Sequence, residues 1–338
     1  MNAFLDIEQT DDLIEYLRHR GLFEKGDRCT AVVLRGGVSN KAVLVKGPTR
    51  SIVVKQALEK LRVATDWHAD PARIEREAIG LKLLEPLAPA GSITPFVFED
   101  VPLFLLGMEA VPDPHENWKT VLLRGEVADD AIHQFGSLLG RIHFQGTKLD
   151  AEALRPIQDR RFFEELRVDP YYRFAAKNNP ETTEFYTHLI SDMKAMPLTV
   201  VHGDFSPKNI LVYQGRLVLL DHEVIHLGDP TFDLGFALTH LLSKANHLRS
   251  SRDLFLQAAG NFWKSYLIEA RSLATEKDFE SRACRQTLAC LLARIDGRSP
   301  LEYLTPEERG AQKRAALELM QKPPAHINDL IREFGSRL

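Results

Sequence analysis

The chain of 338 residues sets 43 basic against 47 acidic side chains, a net charge of −4 with no basic block, so nucleic acid is not an expected partner. With 44% hydrophobic and 27% charged residues and a mean hydropathy of −0.21, it has the composition of a soluble globular protein, long enough for more than one core. No run approaches the roughly 20 apolar residues of a bilayer span, and the acidic opening MNAFLDIEQTDD has no apolar run, so neither a membrane partner nor a signal peptide is expected.

Cys29, Cys284 and Cys290 form neither a disulfide framework nor a Cys-x-x-Cys pair, which fits reduced thiols in a cytoplasmic protein. His222 and His226 have the spacing of a helical zinc pair, but Gly228 and Pro230 argue against the helix that would align them.

In chain order, DDLIEYLRH (11–19) has an acidic start and apolar Leu13, Ile14 and Leu17, the pattern of a short amphipathic helix that Gly21 ends. Thr30 to Leu34, Lys41 to Val45 and Ser51 to Val54 are β-branched runs separated by RGGVSN and GPTR, so three antiparallel strands are expected. The turn Gly36-Gly37-Val38-Ser39-Asn40 reads as a hairpin or as a phosphate cradle, with backbone N–H groups and the Ser39 and Asn40 side chains as donors. It lacks the Walker pattern. Lys55 ends the third strand, where it would aim an ammonium group at phosphates if a carboxylate held it.

Asp70-Pro71 predicts a helix start, Asp as N-cap and Pro at the first helical position, followed by RIEREAIGLKLLE with Ile74, Ala78, Leu81 and Leu83 or Leu84 on its apolar face. Glu75 and Glu77 are the candidate partners of Lys55, and only one of them can face the strand. Phe96 to Glu99 and Leu103 to Glu109 supply two more strands, for a sheet of about five, and Pro112 and Pro114 mark a linker. From Glu126 the chain reads helical, with Ala131, Ile132, Phe135, Leu138, Leu139 and Ile142 on one face and His143 as a packed or capping residue. Residues 148–197 mix acids, bases and aromatics without a massed charge.

The stretch VVHGDFSPKNILVYQGRLVLLDHEVIHLGDPTFDL, Val200 to Leu234, holds two short apolar runs around Gln214-Gly215 that read as a hairpin. A hairpin carries its entrance and exit side by side, so Asn209 and Asp221 converge on one hard cation while Asp204 sits at the mouth of the same cleft. One free carboxylate beside an oxygen-lined metal site suits phosphoryl transfer. Asp233 precedes an apolar helix and reads as a cap or a brace for the loop of Asp204. Helical patterns occupy 232–247, 252–272, 277–294 and 306–321, interrupted by ARIDGRSPLEYL, whose Arg294 and Asp296 either contact substrate or serve a connecting loop.

HGDFSPKN resembles the catalytic loop of the aminoglycoside phosphotransferase and choline kinase superfamily, with His-Gly-Asp and an Asn five positions after the Asp; LLDHE and GDPTFDLG resemble the two motifs that follow it there. The resemblance implies an α+β, protein-kinase-like two-lobed fold. Residues 1–111 would form a small antiparallel-sheet lobe with one main helix, and 112–338 a larger, mainly helical lobe that is catalytic and binds substrate.

It implies transfer of the γ-phosphate of ATP to a hydroxyl of a small-molecule acceptor, with Asp204 as base, Asn209 and Asp221 holding Mg2+, and Glu223 assisting a second ion. Lys55 fixed by Glu77 would grip the nucleotide, under a loop carrying Gly37, Ser39 and Asn40, and Met108, Glu109 and Ala110 would meet the purine edge. The large lobe shows no acidic concentration of the kind a polycationic aminoglycoside calls for, which favours a neutral or mixed sugar or amino alcohol. The alternative is an inactive nucleotide-binding pseudokinase with a regulatory role. The oligomeric state is not readable from these residues.

Overall fold

A computed structural model describes residues 5–34, 37, 39–62 and 67–338. Helix α1 (Thr10–His19) opens the chain and ends at Gly21, whose φ of +71° suits the residue without a Cβ. Strands β1 (Thr30–Val33), β2 (Asn40–Lys46) and β3 (Ser51–Ala57) follow, then helix α2 (Arg73–Leu84) and strands β4 (Phe96–Asp100) and β5 (Leu105–Glu109). The five strands form one antiparallel sheet in the order β1-β2-β3-β5-β4. The second strand of the last pair begins two residues later than its apolar run, because Val101–Leu103 make a tight helical turn.

Alternation along β3 decides what this lobe can do. Ile52 and Val54 enter a core with Leu13 and Leu17 of α1, so residues 53, 55 and 57 face the opposite side, where Ala57 packs with Ile74, Ala78 and Leu81 of α2. Lys55 therefore projects toward α2. That helix starts later than Asp70-Pro71 suggests: Ala72 is its N-cap, and the Asp70 carboxylate instead accepts the Ala72 N–H at 2.9 Å.

The larger lobe begins with β6 (His115–Asn117) and α3 (Trp118–Leu123), neither of which the apolar pattern marks, and continues with α4 (Asp129–Gly146). Ile132, Phe135, Leu138, Leu139 and Ile142 of α4 are buried as its periodicity requires. Short helices α5 (Ala151–Leu154), α6 (Arg161–Phe163) and α7 (Phe174–Asn178) lead to α8 (Thr183–Ala195), with a π-helical stretch over Glu164–Arg173 between α6 and α7. The segment around the Gln214-Gly215 hairpin supplies β7 (Thr199–Val201), β8 (Ile210–Tyr213), β9 (Arg216–Leu219) and β10 (His226–Gly228). β8 pairs with β9 and β6, and β7 pairs with β10.

Helices α9 (Thr231–His247), α10 (Arg252–Ala270), α11 (Phe279–Asp296) and α12 (Pro306–Gln321) match the four helical patterns of the sequence, and α13 (Ile327–Gly335) adds one the pattern reading missed. α9 is buried over nearly its whole length, against α10 and α11. Besides the side-chain contacts described below, a main-chain stitch joins the two lobes: the Leu219 N–H donates to the Ser92 carbonyl at 2.8 Å, beside a bridge between Ile93 and Leu219. Among the described residues no helix is long and apolar enough to cross a membrane.

Candidate active site

The loop after β7 is held from below. Asp233, entirely buried at the start of α9, accepts the His202 N–H at 2.7 Å and the Gly203 N–H at 2.8 Å, and His143 Nε2 lies 3.2 Å from the same carboxylate. Burial works against this carboxylate, yet the hydrogen bond and charge of His143 and the N–H and ring of His202 hold its pKa below the usual value. The brace reading of Asp233, and the packed reading of His143, are both what the structure has. Gly203 adopts φ +79°, and a Cβ there would meet Val224 at 2.9 Å. Asp229 accepts the Thr231 N–H at 3.0 Å and pairs with Arg282 at 3.2 Å, closing the turn into α9.

Above this brace the hairpin brings its two ends together. The Leu220 N–H donates to the Asn209 carbonyl at 2.9 Å, which sets Asp221 beside Asn209. Asn209 Nδ2 donates to the Asp204 carboxylate at 2.7 Å and to its carbonyl at 3.0 Å, so the amide oxygen is the end left for a cation. Asp221 has φ +69°, a left-handed conformation that Asp tolerates better than most residues. Its Oδ1 lies 3.1 Å from Lys55 Nζ, and Lys55 Nζ is 2.5 Å from Glu77 Oε1.

Glu77, not Glu75, is thus the partner of Lys55, since it shares the buried face of α2 with Ala78 and Leu81. Burial pulls the Lys55 pKa down, but Asp221 and Glu77 outweigh it and the ammonium is stabilised. Burial likewise opposes the Asp221 carboxylate, and the charges of Lys55 and Lys208 overcome it and hold its pKa low. The Glu77 pKa is pushed up by burial against the pull of Lys55. Close approach of α2 to the loop after β9 depends on Gly80, where a Cβ would lie 2.4 Å from His222 Cβ.

Two arginines that the sequence reading did not single out organise the rest. Arg73, fully buried, pairs with Glu223 at 3.1 Å and donates to the carbonyls of Leu58 at 2.7 Å and Ser39. Asn40 Nδ2 donates to Glu223 at 3.3 Å and Ser39 Oγ at 3.3 Å, so Ser39, Asn40 and Glu223 form one buried cluster rather than a loose turn. Burial, with Asp221 nearby, raises the Glu223 pKa. Gly37 is exposed beside this cluster, while Gly36 and Val38 lie outside the described residues.

Arg167, on the π-helical stretch, sets Nη2 2.8 Å from the Asp204 carboxylate and donates from Nε to the Gly203 carbonyl at 2.8 Å. Its signal in the sequence was only one basic residue among interleaved charges; the widened helical turn that aims it is a property of packing.

At the lobe junction Met108 is a core residue. The N–H groups of Glu109 and Ala110 are spent on the carbonyls of Pro95 and Ser51, both at 2.9 Å, and the Glu109 side chain pairs with Arg50. Arg294 lines the cleft, but Asp296 does not, being engaged by Lys313 at 2.6 Å and Asn179 at 2.9 Å. His222 and His226 are separately buried, and no cluster of three or more His, Cys, Asp or Glu among the described residues could hold a metal unaided. A cavity of about 270 Å3 runs from Ser39, Asp221 and Glu223 past Asp204 to Arg294 and Ser299.

A methylthioribose kinase of Pectobacterium atrosepticum is 28% identical over 272 residues, 69% of this chain and 64% of that protein, so the chain spans just under two thirds of its length. One from Pectobacterium carotovorum is 26% identical over 315 residues, 80% of this chain and 76% of the other. Two solved structures share the fold at 14% identity: an amicoumacin kinase in complex with AMP-PNP, Ca2+ and its ligand (TM-score 0.62, covering 97% of this chain and 99% of that one), and the choline kinase of Streptococcus pneumoniae (TM-score 0.56, 93% and 99%). A family model described as the phosphotransferase enzyme family matches residues 30–274, and the chain belongs to that family.

Proposed function

We propose that the protein transfers the γ-phosphoryl group of ATP to a hydroxyl of a small molecule. The observation that carries this reading is the convergence of Asp204, Asn209, Asp221 and the Lys55–Glu77 pair on one cleft between the lobes. In it the Asp204 carboxylate orients the acceptor hydroxyl and takes its proton as the oxygen bonds to phosphorus. The bond from the γ-phosphorus to the bridging oxygen breaks, and ADP leaves with that electron pair.

The Asp204 carboxylate is kept in place by Arg167 and Asn209, so much of its orienting entropy is already lost before substrate arrives. Lys55 grips phosphate oxygens, Glu77 fixing its ammonium. The small, all-oxygen donor set of the Asn209 amide and the Asp221 carboxylate fits a hard divalent cation completing its shell with phosphate oxygens and water, Mg2+ above all. When bound, that cation neutralises charge on the phosphates. Glu223, whose Oε2 is held by Arg73 and Asn40, would assist a second ion by way of water.

Ser39, Asn40 and Gly37 cover the phosphates. A purine at Met108–Ala110 is read through carbonyls, the Glu109 and Ala110 N–H groups being taken. Residues 1–111 serve as the nucleotide lobe and 112–338 as the catalytic one. The methylthioribose kinases among the relatives support a small hydroxylated acceptor, and the intact set of Asp204, Asn209 and Asp221 argues against a pseudokinase.

The test is ADP release with Mg2+ and ATP over a panel of sugars, amino alcohols, hydroxy acids and aminoglycosides. Turnover is expected with one class, removal of Mg2+ by chelation should abolish it, and Asp221→Asn should remove it too. Near-normal turnover in Asp221→Asn would mean that the cation is held elsewhere, and an unchanged ATP response in Lys55→Ala would exclude Lys55.

A further inference from the structure

The far end of the cleft restricts what the acceptor can be. Of the carboxylates that line it, Asp204 is matched by Arg167 at 2.8 Å, Asp221 by Lys55 at 3.1 Å, Glu223 by Arg73 at 3.1 Å, and Glu302 by Lys119. Two lining cations have no carboxylate within ion-pair distance among the described residues, Lys208 and Arg294. Lys208 belongs to the nucleotide side, where its charge acts on Asp221.

Arg294 is on the other side. The ring of Tyr171 lies 5.7 Å from the Arg167 guanidinium carbon and 5.5 Å from that of Arg294, so a single aromatic side chain separates the group holding Asp204 from the unmatched one. Arg294 is only 8% exposed. Its Nη1 donates to the Tyr171 hydroxyl at 2.9 Å, to Ser299 Oγ at 3.0 Å and to the Ser299 carbonyl. Its Nε is buried with no partner, and among the described residues Nη2 makes no hydrogen bond.

Glu302 feels the charge of Arg294 but is paired with Lys119. A guanidinium withdrawn from water without a carboxylate paired to it is costly, and a carboxylate or phosphate is what its planar fork matches. Behind it stands a second desolvated cation: Lys244 is wholly buried, donates to the His240 carbonyl at 3.2 Å and lies 5.5 Å from the Tyr303 ring. Burial, with Lys119 and Arg294 nearby, pushes the Lys244 pKa down to about 7, and Glu302 offsets this only in part. Positive charge is thus in local excess at this end.

We infer that the acceptor is a small hydroxylated acid whose anionic group, a carboxylate or a phosphate monoester, is received by Arg294 while its hydroxyl is presented to Asp204. This rests on the phosphotransfer reading above. It narrows the small hydroxylated acceptor of that reading to an acidic one, in place of the neutral or mixed acceptor that the sequence favoured, and makes Arg294 the specificity residue.

The experiment is ADP release by the full chain with Mg2+ and ATP, over hydroxy and sugar acids of about three to six carbons, sugar phosphates, and the matched primary amides, alcohols and amino sugars. The expected result is a kcat/KM for an acid or phosphate ester about 10- to 100-fold above its neutral counterpart, the range of one charge-assisted hydrogen-bonded contact. The carboxylate and phosphate arms tell the two sources apart. Arg294→Gln should raise the KM for that acid by a similar factor while the KM for the matched amide stays put, and Arg294→Lys should restore part of the preference.

Preference for neutral or cationic acceptors would overturn the inference and leave phosphotransfer standing. So would equal loss of acid and amide turnover in Arg294→Gln, which marks a purely structural residue. No ADP release from any acid or phosphate also overturns it; calorimetric titration with Mg2+ and ATP then decides separately whether the phosphotransfer reading falls as well.

Discussion

Asp233→Asn isolates the brace beneath the Asp204 loop. In the native chain each oxygen of this buried carboxylate has its own backbone donor, His202 N–H at 2.7 Å and Gly203 N–H at 2.8 Å, and neither residue is exposed. An amide keeps one acceptor and turns a second donor toward an N–H. One charge-assisted bond is lost, about 1.5–3 kcal/mol, and one buried N–H is orphaned, about 1–3 kcal/mol, for a total near 3–5 kcal/mol.

Thermal unfolding should register this as a fall in Tm of about 4–7 °C. Hydrogen exchange should show the amides of His202 and Gly203 opening at lower free energy than those of α9. The sign with pH follows as well. The folded pKa of Asp233 is depressed, so its contribution is fully present above the unfolded value near 4 and is lost as pH falls through the folded value; the variant should lack this part of the acid limb. A Tm within about 2 °C of the parent, with loop amides still protected, would refute the reasoning, because a shift that small corresponds to about 1 kcal/mol or less.

Gly80→Val should separate α2 from the His222 loop, since even a Cβ would sit 2.4 Å from His222 Cβ; a loss of about 1–3 kcal/mol and a raised KM for ATP are expected, checked by unfolding and steady-state kinetics. Lys244→Met should raise stability at pH 7 by about 1–4 kcal/mol, because a buried amine with no ion-paired carboxylate among the described residues gives way to an apolar side chain. In the parent, stability should rise between the depressed folded pKa of about 7 and the ordinary lysine value as the unfolded chain alone keeps the proton; Lys244→Met should flatten that slope in pH-dependent melts. Arg73→Met should free Ser39 and Glu223 together, seen as faster exchange at both the β2 start and the loop after β9.

What could be read from the chain was what local pattern encodes. β-Branched and apolar runs between turn residues marked the five strands, and apolar periodicity marked α1, α2, α4 and the four long helices that follow the hairpin. Linked polar positions at the hairpin ends marked Asp204, Asn209 and Asp221. The pairing of Lys55 with Glu77 rather than Glu75 needed the helix face, which Ala78 and Leu81 supply.

The arginines were not legible, because each is one charge in a mixed stretch and gains its role from a partner far along the chain: Arg73 from Glu223, Arg167 from Asp204. The π-helical stretch that aims Arg167 leaves no periodic trace, since Pro170 sits inside it. The short β6 and α3 are likewise too brief to show a period, and α13 lies beyond the last pattern that was read as helix. Glu109 and Ala110 illustrate the same limit for the backbone, whose spent donors become visible only once strand neighbours are known.

The main-chain stitch between Ser92 and Leu219 lies two residues before Asp221. Asp221 is tied across the cleft as well, to Lys55 at 3.1 Å, so a swing of one half against the other must either carry that ion pair along or break it, and the aspartate serves as a gauge of how the halves are set.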